Sequence, residues 1–549
     1  MGLMTQVGFI RNAVFAKGAI MIKNALVCGA ICLALPIGMA GFAKGSVIKA
    51  GISGDEGSLD PATGTTAAPQ YPIKHAYNGL FSFDTQGKLK NELCKSYKLS
   101  PDGKTYTFTL RGDAKWSDGK PVTAKDFVYG LQRNLVPDLK ASYADMMNAI
   151  VNFDDCIKGA KPMADFGVKA IGNTTLEVKL SRPQPYFPQM TTFSPFFPVR
   201  EDKVPRNSSK WSTVNVKDVV TNGPYKFEFY NANEKVVLVR NPYYFNAKAV
   251  KIDRIEFYFI PDAQTQVAAF KTGEIDLALV PPTDINTTYP NKAEVKEVPY
   301  LVNGVYVVSA RNKFLQDVRV REAISIAINR KRVADILGGI NKPLYGLVPC
   351  GITNPATGKD FRTEGGNLVK EDVARARKLL EEAGYPGGKG LPEFVWLNNN
   401  SKINTDIAQV VQGMLKQIGV NITLKLLDSS TFSAERRAGN FDIARLSTSA
   451  DYVDPTTWLN LCVSDSAYIK RVAAYSTPKY DQLVADSDKL LDPRKRFAKL
   501  HEAEAELMGQ YWWIPMVNAN NQMLQKNYVK DIYTTTAGDV YLTYATVTK

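Results

Sequence analysis

SPDGKTYTFTLRGDAKWSDGKPVTAKDFVYGLQR, residues 100–133, is the stretch whose reading decides the fold. KTYTFTLR (104–111) alternates apolar and polar residues, the period of a half-buried strand. WSDG makes a turn at Asp118-Gly119. PVTAKDFVYGLQR then opens a helix, with Thr123 and Asp126 spaced as a capping box.

Working outward, TTLEVKL (174–180), RIEFYFI (254–260) and VNITLKLL (420–427) alternate in the same way. DAQTQVAAFKTGEIDLALV reads as a short helix, a stop at Gly273 and a strand. Beyond about residue 300 helices lengthen. VRVREAISIAINRKRVADIL (318–337) reads as one helix, and EDVARARKLLEEAGYPGGKG as a helix stopped by Gly384 and Pro386. DIAQVVQGMLKQIG puts Ile407, Val410, Val411, Met414 and Leu415 on one face and ends at Gly419. FDIARL reads as a strand leading through STSA to Asp451. The mixture predicts α/β lobes around mixed sheets.

The chain has 549 residues, more than one core accommodates, and length suggests about three domains. Hydrophobic residues make up 45% and charged residues 22%, ordinary for a globular protein. Residues 21–43, MIKNALVCGAICLALPIGMAGFA, carry Lys23, an apolar run too short for a bilayer span, and small residues at Ala40 and Ala43. Residues 1–43 are therefore expected to be a signal peptide cleaved after Ala40 or Ala43, with Met21 as an alternative start. Cys28 and Cys32 sit inside the apolar run, which argues against a lipidated N-terminal cysteine. Removing Arg11, Lys17 and Lys23 takes the formal net charge from +14 to +11. The basic residues are scattered, so a solvated surface is expected rather than a nucleic-acid partner. Cys94, Cys156, Cys350 and Cys462 remain; export permits disulfides, and sequence allows three pairings.

Catalytic machinery is not visible. The two histidines, His75 and His501, lie far apart on expected helices and read as packing or surface residues. No HExxH, GxSxG, P-loop or GxGxxG context occurs. No cofactor or metal site is expected, and the chain is not read as an enzyme.

SLDP (58–61), YNGLF, the 100–133 block, TNGPYKFEFYNANEKVVLVRNPYYF, FKTGEIDLA, DVRVREAISIAINR, LLEEAGY and FDIAR…ADYVDPTTWLN occur in an order that resembles the peptide-binding class of extracytoplasmic solute-binding proteins. Within that class it resembles the oligopeptide-binding proteins of Gram-negative bacteria. The resemblance implies a periplasmic-binding-protein-like α/β fold of two main lobes with a hinge plus an extra lobe. Lobe I would comprise 44–77, 201–301 and 519–549, lobe II (the extra lobe) 78–200, and lobe III 302–518. The chain would cross between lobes I and III near Leu301 and near Val517, the expected hinges. The cysteine pairs Cys94–Cys156 and Cys350–Cys462 would each fall within one lobe, where a disulfide would leave the hinge free; free buried thiols are the alternative.

It further implies a monomeric periplasmic receptor that closes over short peptides and passes them to the permease and ATPase subunits of an ABC importer. The peptide would pair its backbone with strand-like segments at TTAAP (Thr65 and Ala67 among them) and at Ser447, Thr448 and Ser449. Asp451 falls on the family's anchor for the ligand's α-amino group. Arg436 and Arg445 fall on arginines that meet a carboxylate end, a role suited to the planar guanidinium. The chain departs from the family where Ser429 and Thr448 replace pocket tryptophans, where Ile403 replaces a histidine near the ligand's C-terminal end, and where Val302 and Ser449 replace a disulfide. These leave open a murein-peptide receptor of the same family. A nickel or haem receptor, also a relative, is poorly supported by two histidines. From other classes, an exported hydrolase or a peptide-holding chaperone remains as an alternative.

Overall fold

The 100–133 block forms as its pattern demands. In chain order the elements that position the site begin with β1 (Val47–Ile52) and α1 (Ala67–Ala76). β2 (Cys94–Leu99), β3 (Thr105–Leu110) and α2 (Ala124–Arg133) follow. β3 turns Tyr106, Phe108 and Leu110 inward. Trp116 is fully buried and its Nε1 donates to Asp126 Oδ2 at 3.2 Å. The same carboxylate accepts the Thr123 N–H at 2.7 Å, one half of the capping box that starts α2. At the far end of α2, the buried Arg133 makes a bidentate pair with Asp60 of the SLDP motif (3.0 and 2.8 Å). The computed structural model describes residues 46–54, 57–282, 284–338, 340–466, 469 and 475–548. The expected signal peptide lies outside the described residues.

β4 (Val168–Ile171) and β5 (Thr175–Lys179) complete a four-stranded sheet in the order β2-β3-β5-β4. Next come β6 (Tyr225–Asn231), β7 (Lys235–Arg240), β8 (Arg254–Phe259), α3 (Ala263–Thr272) and β9 (Leu277–Ala278). Gly273 ends α3 at φ 82°, the left-handed conformation that glycine adopts without strain. β10 (Val295–Val308) is long. The stretch 318–337 departs from the single predicted helix: it forms α4 (Val318–Ile326) and α5 (Arg330–Ile336). Two interactions break it. Asn329 Oδ1 accepts the Arg332 N–H at 2.8 Å and caps a new helix. The fully buried Arg330 guanidinium folds back on the carbonyls of Ser325 and Ile328, at 3.2 and 3.0 Å.

The rest comprises α6 (Val373–Glu382), β11 (Phe394–Asn399), α7 (Lys402–Lys416), β12 (Ile422–Leu427), β13 (Ile443–Ser449), α8 (Pro493–Gly509) and β14 (Trp513–Gln525). α7 buries Ile407, Val411, Met414 and Leu415, and Gly419 follows it at φ 82°. One large mixed sheet runs β12-β11-β13-β10-β14-β9-β1-β8-β7-β6, with the two-residue strand Lys342–Pro343 paired to β14. β10 and β14 are its antiparallel middle. Their register slips between Val298 and Val302 and again between Gly304 and Val305.

Cys94, Cys156, Cys350 and Cys462 are free thiols, so neither within-lobe pair forms. Cys94 Sγ donates to the Ser96 carbonyl at 3.2 Å and Cys156 Sγ to the Pro162 carbonyl at 3.5 Å. Cys94, Cys156 and Cys462 are buried and pack as small apolar groups. TTAAP is strand-like only as far as Thr66 (φ −82°, ψ 170°); Ala67 begins α1. His75 is fully buried on α1. Its Nδ1 meets the Tyr71 carbonyl at 2.7 Å and its Nε2 accepts the Leu542 N–H at 2.9 Å, so the ring is neutral. Burial lowers its pKa to about 4.

Candidate functional site

β13 carries one wall of the site. Its register against β10 runs from Ile443 opposite Val308 to Ser449 opposite Val302. The Ala450 N–H donates to the Leu301 carbonyl at 2.8 Å. In an antiparallel ladder the bonding direction alternates. That bond therefore turns the backbone groups of Arg445, Ser447 and Ser449 away from β10. On that other edge β11 pairs with β13 only at Ile443 and Ala444. Among the described residues no strand covers the edge from Arg445 to Ser449.

A cavity of about 810 Å³ opens beside this edge. Arg445, Ser447 and Ser449 face it, as strand alternation requires, and Asp451 closes the row. Thr65, Thr66 and Ala67, at the start of α1, lie on its wall. Thr448 does not. Its side chain belongs to the opposite face, its N–H donates to Asn303 Oδ1 at 3.2 Å, and its carbonyl accepts Trp458 Nε1 at 3.0 Å. Arg436 also lies outside the lining. It donates to the Arg445 carbonyl at 3.4 Å and stacks over the Phe432 ring. Of the residues that sequence pointed to, six share the cavity, and Thr448 and Arg436 support its wall from behind.

The electrostatics are sparse. The charged side chains on the wall are Asp451, Arg445, Lys74 and Asp539. Lys74 and Asp539 pair with each other. Asp451 accepts a hydrogen bond from the Tyr143 hydroxyl, and burial raises its pKa to about 6. Burial pushes Arg445 below the usual guanidinium range. Among the described residues neither Asp451 nor Arg445 has an oppositely charged partner within ion-pair distance. Tyr300 adds a second phenol, its hydroxyl 2.8 Å from Ser449 Oγ. Among the described residues no group of three or more His, Cys, Asp and Glu side chains could hold a metal ion. None of their helices is long and apolar enough to cross a membrane.

Sequence reasoning missed Tyr143, Tyr300 and the Lys74–Asp539 pair. Lys74 and Asp539 stand 465 positions apart, and Tyr143 comes from a different part of the chain from Asp451. No local pattern links them.

The family model described as bacterial extracellular solute-binding proteins, family 5 Middle, matches residues 88–469. The chain is 34% identical over 491 residues to the periplasmic oligopeptide-binding protein OppA of Salmonella typhimurium, covering 86% of this chain and 87% of that protein. Among solved structures it is similar to Haemophilus influenzae OppA in complex with the peptide RPPGFSPFR, at 29% identity and a TM-score of 0.72, covering 92% of this chain and 99% of that one. It is also similar to the Escherichia coli murein tripeptide binding protein MppA, at 27% identity and a TM-score of 0.75, with 92% and 99% covered. The architecture is the mixed-sheet, multi-lobe fold of these periplasmic binding proteins. With a family model spanning most of its length and curated relatives matched nearly end to end, the chain belongs to the family 5 bacterial extracellular solute-binding proteins.

Proposed function

We propose that the protein is the periplasmic receptor of a peptide ABC importer, binding short peptides and delivering them intact to a membrane permease and its ATPase. One observation carries the reading: the open edge of β13 from Arg445 to Ser449 ends on Asp451, a half-buried carboxylate with no ion-pair partner among the described residues. An extended peptide adds itself to such an edge through its backbone, which makes binding tolerant of side chains. Its ammonium meets Asp451 and its carboxylate meets Arg445. Six positions along the chain, the first four of them within β13, separate the two, at most roughly 20 Å, which suits an extended peptide of about four or five residues once side-chain reach is counted.

In this reading Ser447 and Ser449 supply backbone groups, Thr65 and Ala67 line the facing wall, and Thr448 and Arg436 brace the strand. Lobe boundaries at 44–77, 201–301 and 519–549 for lobe I, 78–200 for lobe II and 302–518 for lobe III agree with the sheets. The four-stranded sheet lies within 78–200, and only β10 and β14 run from one main lobe into the other. Their register slips adjoin Leu301 and Val517, where extra residues let a ladder bend, which supports a hinge there. The protein acts as a monomer and performs no chemistry on its ligand. Mass spectrometry of protein purified without denaturation tests the reading. Short linear peptides should co-purify, and added peptide should be returned uncut. A non-peptide ligand, or cleaved peptide, would overturn it.

A further inference from the structure

The wall around Arg445 differs in character from the end that holds Asp451. β11 stops pairing with β13 at Ala444, and the chain turns at once into α7. The first turns of α7 bring Ile403 and Ile407 to the cavity, and α5, packed on α7, brings Val333, with Leu337 just beyond it. Tyr306 stands directly opposite Arg445 in the β10–β13 register, and its hydroxyl accepts Asn398 Nδ2 at 3.2 Å. The polar neighbour Asn404 is committed: its Nδ2 donates to Asn399 Oδ1 and Ser401 Oγ, each at 2.7 Å.

The same cavity has a second apolar surface, the loop Leu279–Pro282 that leaves β9. Val280 there is 40% exposed, high for a large apolar side chain. Asn286, a little further on, donates to the Gly338 carbonyl just past α5, so the two surfaces meet at the rim. Two apolar surfaces thus line one cavity together with a guanidinium, and none of the described acidic residues on the cavity wall pairs with it.

Resting on the peptide reading of the cavity, we propose that these faces form a clamp for the side chain at the peptide's carboxyl end, and that the preferred ligands are short peptides ending in a large aliphatic or aromatic residue. Arg445 fixes the carboxylate. The side chain that leaves the same residue then lies between Ile403 and Leu337 on one side and Val280 on the other. A charged side chain there would give up water for contact with apolar groups, which is unfavourable. A large apolar one removes both faces from water.

Calorimetry with the tetrapeptides Ala-Ala-Ala-Xaa tests this, with Xaa as Leu, Phe, Ala, Lys or Glu. The Leu and Phe peptides should bind about tenfold to hundredfold more tightly than Ala-Ala-Ala-Ala, from the extra apolar groups buried. The Lys and Glu peptides should bind no better than Ala-Ala-Ala-Ala. Leu-Ala-Ala-Ala should gain little. Ile403→Asn and Leu337→Asn should each shrink the gap between Leu and Ala endings. Should all endings bind alike while N-acetylation still weakens binding, the clamp falls and the peptide reading stands. A larger gain from Leu-Ala-Ala-Ala, or a gap undiminished in both variants, also overturns the clamp. Failure of every free-amine tetrapeptide to bind overturns the peptide reading, and the clamp with it.

Discussion

Asp451 can be tested through its proton. In the unliganded cavity burial raises its pKa to about 6, from 3.8. A folded-state value above the unfolded one means that the folded protein holds the proton over that interval. Stability from this group is fully present below about pH 4 and is lost as pH rises through about 6, by about 3 kcal/mol in all. A peptide's ammonium reverses the preference, because the pair needs the carboxylate ionised. Binding therefore expels the proton wherever the free protein holds it. Affinity should be flat above about pH 7 and fall about tenfold per unit well below pH 6, so that a peptide at pH 5 binds about tenfold more weakly than at pH 7. The ligand's own ammonium, with a pKa of about 8, stays charged throughout this range. The phenols facing Asp451, Tyr143 and Tyr300, are themselves pushed up by burial and do not titrate there. Asp451→Asn keeps the shape and removes the charge. It should cost roughly two to three powers of ten at pH 7.5, the effect of stripping one member of a buried pair, and should abolish the pH dependence. Calorimetry at pH 7.5 and 5.0, with buffers of unlike ionisation enthalpy near pH 6 to count the proton, reads both effects. If N-acetylated and free peptides bind the unmodified protein equally, or if affinity stays level down to pH 5, Asp451 does not anchor the amine.

Three further outcomes are expected. His75 has its pKa lowered to about 4, so its contribution is present above about pH 6.5 and lost as pH falls toward 4; urea titrations of His75→Gln should show a flatter decline over that window than the unmodified protein, and an identical slope would refute the assignment. Asp60→Ala should destabilise the protein by about 3–5 kcal/mol in denaturant, since it strands the buried Arg133, while the folded protein keeps its peptide affinity. Small-angle scattering should show a smaller radius of gyration with saturating peptide, and an unchanged radius would count against closure about β10 and β14.

What could be read from the sequence was local. The alternation of 104–111 and the three-residue spacing from Thr123 to Asp126 each concern neighbours in the chain, and β3 and α2 form where those patterns put them. The break after α4 could not be read this way. Helical periodicity continues through Ala327–Asn329, and what ends the helix is the demand of Arg330, buried by its tertiary surroundings, for carbonyl partners. The resemblance puts Ala67 in an extended segment, whereas it begins α1, a helix held through His75, which accepts the Leu542 N–H from the other end of the chain. Within the site, Arg445, Ser447 and Ser449 could be separated from Thr448 only after register and facing were known, although a period of two was visible in FDIARLSTS all along.

The motifs that identify the family and the residues that would choose its ligand are largely different residues, and the structure gives the reason. Asp60 of SLDP is spent on Arg133, Trp211 Nε1 and the Ala62 N–H. Trp116 and Asp126 of WSDGKPVTAKDF are spent on each other and on the start of α2. Asp454, in the DYVDP stretch, is held bidentately by the buried Arg496 of α8 at 2.8 and 2.7 Å. Each is a buried polar group whose partner cannot be removed cheaply, so a frame of this kind tolerates little substitution at these points. In the proposed function Arg445 and Asp451 would serve the constant ends of any peptide. The side chains that could discriminate among peptides, such as Val280, Leu337 and Ile403, border open space, where a change of size or polarity leaves the frame intact. Two proteins with the same frame can therefore differ in ligand through a few cavity-wall residues, and for this chain those residues are apolar at the arginine end.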